Sequence, residues 1–101
     1  TGGGITDNLP RILPQGTAAT IETSTWEVPG LFRWLEQSGN VPRDDMWRTF
    51  NMGIGLILVA SPANADVLLE ELAARGGRQA RIIGEIVPGE GEPSVRYSGA
   101  L

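Results

Sequence analysis

A mixed α+β fold, with helices sandwiching a sheet of three or four strands, follows from three observations. Segments of β-branched or continuous apolar character (residues 17–23, 54–60 and 81–87) read as strands. Segments with apolar residues at helical spacing lie between them, starting near residues 5, 29 and 62. There is no steady strand–helix–strand alternation, which argues against a purely parallel sheet.

Ile5, Leu9, Ile12 and Leu13 recur at i, i+4, i+7 and i+8, the period of a helix with one face on a core. Pro10 lies inside that run and clashes with the carbonyl four residues back, so a kink or two short helical turns are expected. Pro14 and Gly16 end the element, and TAATIET (17–23) follows as a strand. Pro29 suits a first helical residue, Leu31, Trp34 and Leu35 line one face, and Gly39 is a stop, giving a helix over 29–38. Asn40 and Pro42 open another short helix, with Asp44 and Asp45 where the helix dipole favours anions.

FNMGIGLILVA (50–60) reads as a buried strand, apolar without a break from Ile54 to Ala60. Gly53 and Gly55 fall on one face of it and offer bare backbone to whatever packs there. Ser61 caps and Pro62 starts the cleanest helix, with Ala65, Leu68, Leu69 and Leu72 on one face and Gly76 and Gly77 ending it. RIIGEIV (81–87) is a strand interrupted by Gly84, GEGEPSV (89–95) a polar turn, and residues 94–97 a last edge strand. Residues 89–101 carry little core pattern and are expected to include a mobile tail. At 101 residues the chain is a single domain at most.

Composition narrows the chemistry. Hydrophobic residues make up 41% of the chain and the mean hydropathy is −0.07, as in ordinary globular proteins. No apolar run is long enough to span a bilayer, so no membrane partner is expected. Net charge is −4 with no basic cluster, which argues against nucleic acid. The absence of cysteine fits a reducing compartment such as the cytoplasm. All eight cations are arginines, and there is no lysine or histidine. The usual triad base, thiolate nucleophile, Schiff-base amine, Walker lysine and zinc ligands are therefore missing. What remains suits holding a phosphorylated ligand better than proton transfer near neutral pH.

Three patterns are candidates for binding. Gly2, Gly3 and Gly4 at a helix start let N–H groups converge on an anion, although such a cluster also serves as a tight turn. Asn8 and Arg11 lie three apart on the same helical face, where an amide and a guanidinium reach one ligand or simply meet solvent. Asn51 and Gly53, in RTFNMGIG (48–55), offer an amide beside accessible backbone, or satisfy a turn. Trp26, Trp34 and Trp47 form a stacking pocket or a core. The adjacent pairs Asp44–Asp45 and Glu70–Glu71 point to different helical faces and make poor metal sites.

Four blocks in this order, TGGGITDNLPRILP (1–14), STWEVPGLFRWLEQSGNVP (24–42), MWRTFNMGIGLILV (46–59) and RIIGEIV (81–87), resemble the C-terminal part of the phosphoribosylformylglycinamidine cyclo-ligase (AIR synthase, PurM) family. The resemblance covers roughly residues 1–88. It implies an α+β, layered α/β/α sandwich with partial ferredoxin-like character. It also implies an ATP- and Mg-dependent ring closure of formylglycinamidine ribonucleotide in purine synthesis, by a cytoplasmic homodimer. Nucleotide and metal belong mostly to an N-terminal half, so the remainder of the enzyme is the expected partner and a phosphorylated small molecule the expected ligand.

On this resemblance Gly2, Gly3, Gly4, Asn8, Arg11, Asn51 and Gly53 are substrate or phosphate contacts, with no catalytic residue or metal ligand in the chain. The family block usually reads H-I-T-G-G-G, and here it begins at Thr1. The expectation is a partial domain, truncated at its N-terminus and inactive alone. Trp47 stands where many family members carry Tyr. Rival assignments are a related ATP-using enzyme (formylglycinamidine ribonucleotide synthase, selenophosphate synthetase or thiamine monophosphate kinase) and a non-catalytic dimerisation module.

Overall fold

Pro10 sets the shape of the chain's beginning in the computed structural model, which describes residues 2–76 and 80–99. Helix α1 (Gly4–Asn8) gives way to a 3-10 turn (Leu9–Ile12) that carries the proline. The expected apolar stripe splits there: Ile5, Leu9 and Leu13 are buried, while Ile12 faces solvent. Strand β1 (Thr17–Glu22) follows, then a 3-10 turn (Thr23–Thr25), α2 (Gly30–Gly39), α3 (Arg43–Thr49), α4 (Pro62–Ala74), β2 (Gly84–Pro88) and β3 (Ser94–Ser98).

The sheet has three strands in the order β2-β1-β3, with β1 antiparallel to β2 and parallel to β3. Its register pairs Ala19 with Ile86 on one side and with Val95 on the other. β1 is central, which explains why Ala18, Ala19 and Ile21 are buried. On the helical side the core gathers Ile5, Leu9, Ile21, Met46, Trp47 and Met52. Glu22, at the end of β1, accepts hydrogen bonds at 2.9 Å from the hydroxyls of Ser24 and Ser98. Those donors, Ser24 first, hold its carboxyl below the usual carboxylate range.

α2 ends as its punctuation suggests, with Asn40 in the left-handed conformation at φ 50° and the Val41 N–H reaching back to the Glu36 carbonyl at 3.0 Å. Its inward face differs from the one expected. Phe32 and Leu35 pack on the core, Phe32 lying 5.9 Å from the Phe50 ring, while Leu31 and Trp34 point outward. α3 carries Asp44 and Asp45 in its first turn and buries Met46 and Trp47. Ser61 precedes α4, but its hydroxyl makes no capping bond.

The largest departure from expectation is the apolar segment before α4. It is not a strand: residues 53–60 are irregular, and Leu56 is 81% exposed. Among the described residues its backbone pairs only at its start, where the Gly53 and Ile54 N–H groups donate to the side-chain and backbone oxygens of Asn51. A strand exists only through its neighbours, and here the neighbour is missing. Of 81–87, only the part from Gly84 on enters the sheet.

Residues 89–101, expected to be poor in core contacts, hold β3, whose Tyr97 packs against the core. Gly89 and Gly91 are hydrogen-bonded to Gly16 at 2.9 Å each. The expected stop at Gly77, the threonine Thr1 and the last two residues of the tail lie outside the described residues.

Candidate functional site

α1 sits where the C-terminal end of α3 meets the sheet, and Gly4 makes that approach possible. A Cβ on Gly4 would stand 2.4 Å from the Phe50 carbonyl oxygen and 2.7 Å from that of Trp47, and its φ is +55°. The side chain is thus excluded by the protein's own backbone. Thr6 completes the joint: its hydroxyl donates to the Trp47 carbonyl at 3.0 Å and lies 2.7 Å from the Tyr97 hydroxyl. No local signal in the sequence marks Thr6, because Tyr97 is 91 positions away.

A cleft of about 220 Å³ opens beside this joint, with Gly4, Asn8 and Asn51 on its wall and Ile54 to Ile57 along its side. Asn8 folds back over the glycines, its Nδ2 donating to the carbonyls of Gly2 at 2.9 Å and Gly4 at 2.8 Å. Its Oδ1 has no partner among the described residues. Asn51 Oδ1 accepts from the Gly53 N–H at 2.9 Å, a tight turn that holds Met52 and Gly53 at positive φ. The Asn51 Nδ2 likewise has no partner among the described residues.

Of the expected residues, Gly4, Asn8 and Asn51 therefore stand together around one cleft, and Gly2 is tied to it through the Asn8 amide. Gly3, Gly53 and Arg11, which is exposed on the 3-10 turn, do not line it. Gly53 serves packing instead, since a Cβ there would come within 2.6 Å of Pro29. The tryptophans do not form a ligand-stacking site. Trp26 and Trp47 meet edge to face at 5.8 Å, and the Trp26 indole N–H donates to the Met52 carbonyl. Trp47 also packs 4.7 Å from Tyr97, and Trp34 is exposed. Burial raises the Tyr97 phenol above its ordinary value, against the lowering effect of its bond to Thr6.

The sequence that builds this joint has known relatives. The chain belongs to the family described as AIR synthase related protein, C-terminal domain, which it matches over residues 1–96. It is similar to the chloroplastic phosphoribosylformylglycinamidine cyclo-ligase of Arabidopsis thaliana, 50% identical over 91 residues. That match covers 90% of this chain and 23% of the plant protein. The phosphoribosylformylglycinamidine cyclo-ligase of Desulfotalea psychrophila is also 50% identical, over 85% of this chain and 24% of its own length. The chain spans about a quarter of the length of these relatives.

Proposed function

We propose that the chain is the substrate-groove part of a phosphoribosylformylglycinamidine cyclo-ligase, an ATP-dependent enzyme of purine synthesis. The observation that carries this is 50% identity to proteins of that name across nine-tenths of the chain. The chain's share of the work is positioning. Asn8 Oδ1, Asn51 Nδ2 and the backbone at Gly2, Gly3 and Gly4 hold the phosphorylated substrate at the cleft mouth, with Arg11 as a cation close by. Held by the remainder of the enzyme, ATP would supply the phosphoryl group that turns the substrate's formyl oxygen into a leaving group, with ADP released in that transfer and phosphate on ring closure. Catalysis then rests mainly on orientation and electrostatics.

Among the described residues no three carboxylates stand together. ATP and Mg fall to the remainder of the enzyme, which is the principal partner in this reading. A layered α/β/α arrangement, a homodimer and a cytoplasmic or plastid setting are parts of the same proposal. No helix among the described residues is long and apolar enough to cross a membrane.

The test is Asn51→Asp in the whole enzyme. The aspartate keeps the oxygen that accepts the Gly53 N–H, while the donor becomes an anion facing phosphate. The expected result is a KM for formylglycinamidine ribonucleotide raised about 10-fold or more, roughly one hydrogen bond's worth, with the KM for ATP unchanged. Unchanged KM values for both substrates would remove Asn51 from the groove.

A further inference from the structure

The Thr6 hydroxyl has one proton, and it goes to the Trp47 carbonyl at 3.0 Å. The Tyr97 hydroxyl, 2.7 Å from the same Thr6 oxygen, is therefore the donor in their bond, and the relay runs in one direction from Tyr97 through Thr6 to Trp47. Its receiving end is a helix terminus: Trp47 lies in the last turn of α3, where carbonyls have no partner within the helix. The giving end is held firmly. Next to Tyr97, the Ser98 hydroxyl donates to Glu22 and the Ser98 carbonyl accepts from the Thr23 hydroxyl, each at 2.9 Å. The Tyr97 ring itself packs on Trp47. Tyr97 lies one residue beyond the stretch that the family match covers, so its bond to Thr6 is no part of that likeness.

What the relay holds is α1. Five residues make too short a helix to stand alone, and its N-terminus has no side-chain cap. Among the described residues, its hydrogen bonds to other elements run through Thr6. Asn8 belongs to the same unit, because its amide is bonded to the Gly2 and Gly4 carbonyls and moves with them. Asn51 belongs to the other side of the joint, four residues after Trp47 and next to Phe50, whose carbonyl lies against Gly4.

We propose that Tyr97 and Thr6 are positioning residues of the substrate groove, which hold Asn8 and Asn51 at the spacing a phosphorylated ligand requires. This rests on the cyclo-ligase reading and adds to it the far end of the chain: a hydroxyl 91 positions from Thr6 tunes a cleft it does not line. Groups that recognise a ligand act at full strength only near their working positions, and a displacement of about 1 Å can cost on the order of 100-fold in rate. Without the phenol, Thr6 keeps its bond to Trp47 but loses the donor that pins its rotamer, so the effect of that loss is partial.

KM values in the whole enzyme test this, because a loss of folded protein lowers the rate per mole of enzyme and leaves KM alone. Tyr97→Phe, which keeps the ring beside Trp47, should raise the KM for formylglycinamidine ribonucleotide about 5-fold, with the KM for ATP unchanged. Thr6→Val, which strips both bonds, should raise it about 10-fold or more, whereas Thr6→Ser, which keeps the hydroxyl, should stay within about 2-fold of the parent. Adding Tyr97→Phe to Thr6→Val should raise it no further, because the phenol acts through that hydroxyl. If Thr6→Val yields no soluble enzyme, Thr6→Ala takes its place in the same cycle. A parent-like KM in Tyr97→Phe, a rise shared with ATP, or additive effects in the double variant would overturn the proposal and leave the cyclo-ligase reading standing. A parent enzyme that does not turn over formylglycinamidine ribonucleotide would end both.

Discussion

Gly4 shows that a missing side chain can serve the fold's own packing. A glycine cluster at a helix start suggests a ligand brought close to the backbone, yet at Gly4 the close neighbours are the Phe50 and Trp47 carbonyls. Gly4→Ala should therefore destabilise the chain by about 2 kcal/mol or more, since both backbone strain and a clash with fixed atoms oppose it. At Gly2 an added methyl group would meet nothing within 4 Å, and the φ there is not positive. Gly2→Ala should fall within about 0.5 kcal/mol of the parent. Urea unfolding of the two variants side by side checks the pair, and equal effects would contradict the assignment.

The Tyr97 hydroxyl ties together three elements, α1, α3 and β3, through Thr6. Burial raises its pKa, so folding favours the neutral phenol. That preference is fully present below the unfolded value near 10 and is lost as pH rises through it and on to the folded value. With one tyrosine, no lysine and no cysteine, the chain assigns its side-chain titration in this range to a single residue. The urea midpoint should fall between pH 9 and 11 in the parent, whereas Tyr97→Phe should lose about 1 kcal/mol at pH 8 and show a flatter alkaline limb. Much at this scale was legible in the sequence. Proline and glycine mark the ends of α2 and the start of α4, and β-branched residues mark β1. Residues 55–60 were not legible as they stand, because apolar content identifies a strand's character while its existence depends on a partner elsewhere. The inward turn of Phe32 in place of Leu31 was equally hidden, being set by Phe50. Asn8 and Asn51 were visible as candidates, but their shared cleft depends on contacts between distant parts of the chain.

For the molecule as a whole, the missing residue types matter as much as those present. Without lysine or histidine, and with about a quarter of its relatives' length, the chain should not turn over formylglycinamidine ribonucleotide with ATP by itself. A phosphate-release assay on the purified chain checks this, and any turnover above background would place the chemistry within these residues. The sheet order has a further consequence. Both neighbours of β1 come from residues 84–98, near the far end of the chain. During synthesis β1, which ends at Glu22, leaves the ribosome well before its partners, which begin at Gly84 and Ser94, and its alanines and isoleucine stay uncovered until they follow. High contact order of this kind slows folding and lengthens exposure to aggregation. The newborn sheet is thus a client for chaperones until its last strands arrive.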